Sequence, residues 1–132
     1  MDLGNPHMQD MSATIYQQLG EDYFHRLAAF FYEGVREDDV LLPMYPTDDL
    51  EGARNRLAWF LIQYFGGPML YRQNRGAPML RRRHMPFAVD QEAMEHWLSN
   101  MRHALDKAET PESVRPQMEA YFTRAAAAML NT

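Results

Sequence analysis

Residues 49–68 read DLEGARNRLAWFLIQYFGGP and contain the strongest helical pattern in the chain. Apolar side chains recur there at three- and four-residue spacing for about four turns, which predicts an amphipathic helix. The apolar positions are Leu50, Ala53, Leu57, Phe60, Leu61 and Tyr64. Asp48 or Asp49 can cap the start of this helix, and the Gly-Gly-Pro at residues 66–68 ends it.

Two further helices are predicted before this stretch. Residues 21–36 have one apolar face, and Tyr32 lies beside it. The members of that face are Phe24, Leu27, Ala28, Phe31 and Val35. A shorter helix is predicted between a cap at Ser12 and a stop at Gly20. Residues 38–46 contain acids and prolines that permit only one short helical turn, so Met44 and Tyr45 lie in a corner.

The segment after the long helix is rich in arginine and in the helix-breaking residues glycine and proline. Residues 69–78 end in Gly-Ala-Pro and are predicted to form a loop. A short basic helix with Leu80 and His84 follows, and Pro86 stops it.

Two helices are predicted in the C-terminal part of the chain. Asp90 can cap the first, whose apolar face consists of Met94, Trp97, Leu98, Met101, Ala104 and Leu105. The second runs to Leu130, and Pro116 leaves its start open: either a brief turn precedes it or the helix begins near Arg115. Because no segment alternates as a strand does, the predicted class is all-α, with connections too irregular for a simple four-helix bundle.

Length and composition restrict the function classes. The 132 residues fit one domain, with residues 1–11 as a flexible lead-in and residues 12–132 as the domain. The net charge of −5 disfavours non-specific binding to nucleic acid. The absence of cysteine excludes disulfides, thiolate metal sites and thiol nucleophiles. The N-terminus lacks a signal-peptide pattern and no segment is apolar enough to span a bilayer, which favours a cytoplasmic protein.

Side chains that could bind a metal or an anion give only weak signals when each is considered alone. His96 and His103 are seven residues apart but do not form a metal-binding pair by themselves. Acids near helix starts, Asp38 among them, are best explained as solvated caps. The Arg-Arg-Arg at residues 81–83 could bind a phosphate, a nucleic acid or the carboxylates of a cofactor, or be solvated. Without further context, His84 is a surface histidine beside this run.

Five short motifs nevertheless occur in a fixed order. They are Phe31-Tyr32, Met44-Tyr45-Pro46, QYFGGP at residues 63–68, LRRRHMPF at residues 80–87, and Trp97. In order and spacing they resemble the group II truncated haemoglobins, from about Thr14 to Asn131.

The resemblance implies a globin-like two-over-two helical sandwich around a b-type haem, with His84 as the proximal ligand of the iron. It also implies that Tyr32, Tyr45 and Trp97 act as distal donors, which stabilise the negative charge on bound dioxygen. The distal pocket is implied to contain Phe31, Ala53, Leu57 and Leu61. The implied candidates for contact with the haem are Arg56, Leu80, Arg81, Arg83, Phe87 and Met101.

The function implied by this resemblance is tight, slowly reversible binding of dioxygen and other diatomic ligands, with a role in oxygen transport. The alternative is nitric oxide dioxygenase or peroxidase-like chemistry. That alternative needs a separate reductase, because the chain has no flavin or nicotinamide fingerprint. A homo-oligomer is compatible with both. If the motif pattern were coincidental, the chain would be a cofactor-free helical interaction module.

Overall fold

The computed structural model describes residues 13–75 and 89–130, and within these ranges it contains six α-helices, one 3₁₀ turn and no strand. The helices are α1 (Ile15–Leu19), α2 (Glu21–Arg36), α3 (Leu50–Tyr64), α4 (Leu70–Arg75), α5 (Gln91–Lys107) and α6 (Arg115–Met129), and the 3₁₀ turn is Leu42–Met44. The predicted all-α class is confirmed. The predicted lead-in at residues 1–11 and the basic helix with His84 lie outside the described residues.

The cap of α1 is Thr14, not Ser12 as the sequence predicted. The Thr14 hydroxyl accepts a hydrogen bond from the Gln17 backbone N–H at 3.0 Å, and the Gln17 side chain accepts one from the Thr14 N–H at 2.9 Å. This reciprocal capping box requires Glu or Gln three residues after the cap. Ile15 stands at that distance from Ser12, so only Thr14 satisfies the requirement.

Helix α2 is the centre of the fold, because it packs against both α3 and α5. Its predicted apolar face is buried, and Tyr32, predicted beside that face, is buried as well. A helix with neighbours on two sides buries more than one stripe. Helix α6 packs against α5, so the pairs α2/α3 and α5/α6 meet along the contact between α2 and α5.

Helix α3 begins as predicted, since the Asp49 carboxylate accepts a hydrogen bond from the Gly52 N–H at 3.1 Å. It ends at Tyr64, before Gly66, whose φ is +101°. Tyr64 belongs to the predicted apolar set but is 49% exposed, whereas Ala58 and Ile62 are fully buried. The buried face of α3 is therefore rotated away from Tyr64 near its end.

The prediction of a loop over residues 69–78 is wrong for its first part, because Leu70–Arg75 is helix α4. Long-range contacts hold this short helix. The Gln63 side chain accepts a hydrogen bond from the Arg72 N–H at 2.8 Å, and the Tyr71 ring packs edge-on against Phe60 at 5.8 Å. An isolated six-residue helix is unstable, so its sequence carries little periodic signal.

The C-terminal helices begin close to the predicted positions. Asp90 caps α5, with its carboxylate accepting the Ala93 N–H at 2.9 Å. Helix α6 begins at Arg115 with Pro116 in its first turn, where the missing N–H has no partner to lose. A turn closed by the Val114 N–H and the Pro111 carbonyl at 3.1 Å precedes it.

Candidate functional site

Four aromatic side chains meet where α2, the corner after it and α5 come together. Phe31 and Tyr32 project from α2, Tyr45 from the corner and Trp97 from α5. Ring centroids lie 5.6 Å apart for Phe31 and Trp97, and 5.4 Å apart for Tyr32 and Tyr45. Both contacts are edge-on, the favourable arrangement for aromatic pairs. The structure thus brings together the three predicted donors and one predicted wall residue.

Tyr45 is placed by the 3₁₀ turn and held by Trp97. Its backbone N–H donates to the Leu42 carbonyl at 3.1 Å, and its extended φ and ψ end the turn. The Trp97 indole hydrogen-bonds the Tyr45 hydroxyl, which must accept because an indole can only donate. Burial raises the pKa of Tyr45 and the Trp97 hydrogen bond only partly offsets it, so the phenol is neutral near pH 7.

The hydroxyl of Tyr32 is buried without a partner in the described part of the chain. Tyr32 is 8% exposed, and no group within residues 13–75 and 89–130 is hydrogen-bonded to its hydroxyl. Burial raises the pKa of Tyr32 well above its usual value, and the nearby Tyr45 adds to the effect while Arg56 opposes it. A buried, unpaired hydroxyl is costly, so this pocket is suited to a ligand that accepts a hydrogen bond.

Helix α3 contributes predicted wall residues that carry no donor. Ala53 and Leu61 are buried, and Leu57 is half-buried against the same core. Met101, a predicted haem-contacting residue, is fully buried on α5. Because α3 packs against α2, it adds apolar side chains to the core that contains Tyr32.

A small apolar cavity lies beside Tyr45 and Trp97. Its volume is about 10 Å³, and its other lining includes Leu41, Met94 and Met129. Apart from Tyr45 and Trp97, the described residues that line it are apolar. The hydrogen bond between Trp97 and Tyr45 therefore lies beside a largely apolar space.

The remaining predicted site residues are placed in part or not at all. The Arg56 guanidinium lies 3.4 Å from the Asp49 carboxylate, and the Arg56 side chain is 25% exposed. His84, Leu80, Arg81, Arg83 and Phe87 lie outside the described residues. Their roles, and that of Arg56 toward a haem, remain predictions.

The structure also joins three polar residues that the sequence did not connect. The Asp38 carboxylate accepts hydrogen bonds from His96 and Asn100 of α5, each at 2.9 Å. Asp38 was predicted to be a solvated cap and His96 a weak metal candidate with His103. No cluster of three potential metal-ligating side chains occurs among residues 13–75 and 89–130. A sequence separation of 58 residues leaves no local signal for the pair of Asp38 and His96.

The two packed helix pairs and the buried polar aromatic pocket define a two-over-two globin. The chain belongs to the family described as bacterial-like globin, whose model matches residues 14–131, and within it to the group II truncated haemoglobins.

Three relatives illustrate the similarity. Group 2 truncated haemoglobin YjbI of Bacillus subtilis (strain 168) is 44% identical over 91 residues, which are 69% of this chain and 68% of that protein. The thermostable haemoglobin of the actinobacterium Thermobifida fusca is 47% identical, with a TM-score of 0.86 over 90% of this chain and 98% of that one. The truncated oxygen-avid haemoglobin from Bacillus subtilis is 36% identical, with a TM-score of 0.85 over 89% and 99%. Two plant relatives are longer, and the match covers 55% and 56% of their length.

Membership of this family implies a haem cofactor and the binding of diatomic gases such as dioxygen. The Tyr32 hydroxyl, buried and without a hydrogen-bond partner among residues 13–75 and 89–130, fits a pocket of that kind. In the part of the chain that the structure describes, no helix is both long and apolar enough to cross a membrane.

Proposed function

We propose that this protein binds dioxygen reversibly and releases it slowly, at a b-type haem whose iron is ligated by His84. Three donors, Tyr32, Tyr45 and Trp97, would surround the bound gas. When bound, the haem iron would supply the bond to the gas and negative charge on it. Donors that are already oriented in a dry pocket stabilise such charge more than water does.

The observation that supports slow release is the unpaired Tyr32 hydroxyl. It is buried and hydrogen-bonded to no other described residue, so a bound ligand would remove its desolvation penalty. The pKa of both tyrosines is raised, so each keeps the proton that it would donate. A relative that is 36% identical is called oxygen-avid, in agreement with this proposal.

The residues that would hold the haem are His84 on the iron, with Leu80, Phe87 and Met101 as apolar contacts. Arg56, Arg81 and Arg83 are the candidates for the propionates, since guanidinium groups suit carboxylates. Of these, Arg56 already has a carboxylate neighbour in Asp49. Mutation of each arginine separately would rank them by the loss of haem.

The ligation is tested by the absorption spectrum of His84→Ala after haem supplementation. We expect loss of the haem band of the wild-type protein and its recovery on addition of free imidazole, which replaces the missing ligand. His103→Ala is the matched control, because His103 is exposed on α5. Normal haem retention by His84→Ala, or a wild-type protein that takes up no haem, would contradict the proposal.

Slow release is tested by mixing the oxygenated protein with excess carbon monoxide and following dioxygen dissociation by stopped flow. Tyr32→Phe should release dioxygen faster than the wild-type protein. Tyr64→Phe is the control, since it removes a hydroxyl from a half-exposed ring.

The second candidate function uses the same pocket to convert nitric oxide and dioxygen to nitrate. The donor set around Tyr32 and Tyr45 favours it, because polarisation of bound dioxygen assists both functions. One electron from a separate reductase would restore the ferrous iron, in the cytoplasm that the sequence predicts. Rapid formation of nitrate on mixing with nitric oxide supports this function, and an absent reaction leaves only binding and release.

A further inference from the structure

We infer that Asp38, His96 and Asn100 are positioning residues that hold Tyr45 and Trp97 together and thereby slow the release of dioxygen. This inference rests on the proposed function. It adds three residues, none of which touches the ligand, to the three donors that face it.

Asp38 closes the corner that places Tyr45. Its Oδ1 accepts hydrogen bonds from the Val40 N–H at 2.9 Å and the Leu41 N–H at 3.1 Å. Its backbone carbonyl accepts the Leu42 N–H at 2.8 Å, and the Leu42 carbonyl accepts the N–H of Tyr45 at 3.1 Å. The Asp38 carboxylate therefore fixes the two residues that precede the 3₁₀ turn, and Tyr45 follows that turn directly.

The same carboxylate is held by α5. Its Oδ2 lies 2.9 Å from His96 Nδ1 and accepts a hydrogen bond from Asn100 Nδ2 at 2.9 Å. Asn100 Nδ2 also donates to the His96 carbonyl at 3.0 Å, so its amide is aligned by its own helix. The Asp38 side chain is 13% exposed, which shields these bonds from solvent.

The network connects the two segments that form the distal pair. Trp97 follows His96 directly on α5. Tyr45 follows the 3₁₀ turn, whose first N–H, that of Leu42, is bonded to the Asp38 carbonyl. The corner has only a three-residue 3₁₀ turn of its own, and irregular segments of that kind open more easily than helices. One carboxylate thus couples the irregular corner to the rigid helix, next to the hydrogen bond between Trp97 and Tyr45.

The charges of the network favour its hydrogen-bonded arrangement at pH values between the lowered pKa of Asp38 and the raised pKa of His96. Partial burial raises the pKa of Asp38. Hydrogen bonds from His96, Asn100 and two backbone amides together lower it by more, so the net shift is downward. The hydrogen bond to Asp38 raises the pKa of His96 above 6.5; slight desolvation opposes the shift, and Glu92 and Glu95 on the same helix add to it.

The pH dependence of the network follows from the directions of the two pKa shifts, downward for Asp38 and upward for His96. A raised histidine pKa means that the contribution of His96 is complete below its usual pKa and declines as pH rises through the shifted value. A lowered aspartate pKa means that the contribution of Asp38 is lost only when pH falls through that lower value. The network is strongest between the two pKa values, and neutral His96 can still donate weakly above them.

The test compares Asp38→Asn with Asp39→Asn in the haem-loaded protein. Asparagine at position 38 can still accept from the corner amides but loses the charge that attracts His96. We expect dioxygen dissociation to be faster by about threefold or more in Asp38→Asn and unchanged in Asp39→Asn, whose residue is exposed. The stretching frequency of bound carbon monoxide, which reports donors near the ligand, should shift only in Asp38→Asn.

A second variant keeps the inference testable if Asp38→Asn does not fold. His96→Asn retains an amide donor but cannot titrate, and its site is partly exposed. We expect the wild-type dissociation rate to increase as pH rises through the His96 pKa, and His96→Asn to lose this dependence. A pH profile that is the same in both proteins would overturn the inference.

The outcomes separate the inference from the proposed function. If Trp97→Phe changes the dissociation rate and the carbon monoxide frequency but Asp38→Asn changes neither, the positioning role is wrong and the proposed function stands. If the wild-type protein takes up no haem, the proposed function itself is wrong.

Discussion

The indole N–H of Trp97 donates a hydrogen bond to the hydroxyl of Tyr45, so two of the three proposed distal donors form a coupled pair. The pair joins α5 to the corner between α2 and α3. Because the Tyr45 oxygen accepts from Trp97, its own O–H is directed elsewhere. Tyr45 and Trp97 should therefore be considered as one unit toward a ligand.

Trp97→Phe should accelerate dioxygen dissociation, because it removes the N–H that orients the Tyr45 hydroxyl and so releases that hydroxyl from its fixed orientation. The loss of one such hydrogen bond corresponds to about a two- to tenfold change in rate. Stopped-flow displacement by carbon monoxide measures it. An unchanged rate would exclude Trp97 from the stabilisation of dioxygen.

Tyr32→Phe should have opposite effects on stability and on ligand retention. Removal of a buried hydroxyl that has no partner in the described part of the chain should stabilise the haem-free protein by about 1 kcal/mol or more. The same change should speed dioxygen release from the haem-bound protein. Urea denaturation and stopped flow measure the two effects, and Tyr64→Phe, at a half-exposed ring, should change neither. A destabilised haem-free Tyr32→Phe protein would mean that the hydroxyl has a partner in the folded chain.

Thr110→Val should destabilise the fold by about 1–3 kcal/mol, because it leaves the buried Tyr23 hydroxyl with only the weak acceptor Met118 Sδ at 4.0 Å. The Thr110 hydroxyl donates to the Leu105 carbonyl at 2.9 Å and so accepts from Tyr23, whose oxygen lies 2.6 Å away. Burial raises the pKa of Tyr23 despite this bond, so the phenol remains protonated.

Urea denaturation of Thr110→Val, Tyr23→Phe and the double variant tests this pairing. The double variant should lose less stability than the two single changes together, since neither partner is then left alone. Strictly additive losses would show that the two hydroxyls act independently.

Gly66→Ala should cost more stability than Gly20→Ala. Both glycines have a positive φ, +101° and +85°, which a Cβ makes unfavourable by about 1–2 kcal/mol. At Gly66 the added Cβ would also lie 2.5 Å from the Thr14 side chain, whereas at Gly20 it would meet nothing within 4 Å. The melting temperatures of the two variants measure this difference, because Gly20→Ala adds backbone strain alone and Gly66→Ala adds backbone strain and a steric clash with Thr14. Equal losses would mean that the Thr14 side chain moves aside without cost.

Structural features that depend on neighbouring residues were predicted correctly from the sequence. The caps Asp49 and Asp90 and the extent of α2 follow from interactions within one or two helical turns. The prediction from sequence failed at the short helix α4 and at the end of α3, where Tyr64 is exposed, because contacts with distant residues decide both.

The candidate site divides in the same way. The order of aromatic motifs was sufficient to predict the family and to nominate Tyr32, Tyr45 and Trp97 as a group. The hydrogen-bond partners of those three residues could not be predicted from the order of the motifs. The bond from Trp97 to Tyr45 spans 52 positions and that from His96 to Asp38 spans 58, too far for any periodic pattern to report.

Helices α2, α3, α5 and α6, the caps at Asp49 and Asp90 and the family follow from the sequence, because helical periodicity and capping depend on neighbours a few residues apart. The pairing of the buried polar groups depends on the tertiary structure. The tertiary structure gave the Tyr45 hydroxyl a donor, left the Tyr32 hydroxyl without a described partner, and placed Asp38 between the corner and α5. Burial and hydrogen bonding depend on which helices pack together, and the contact between α2 and α5 exists only in the folded chain.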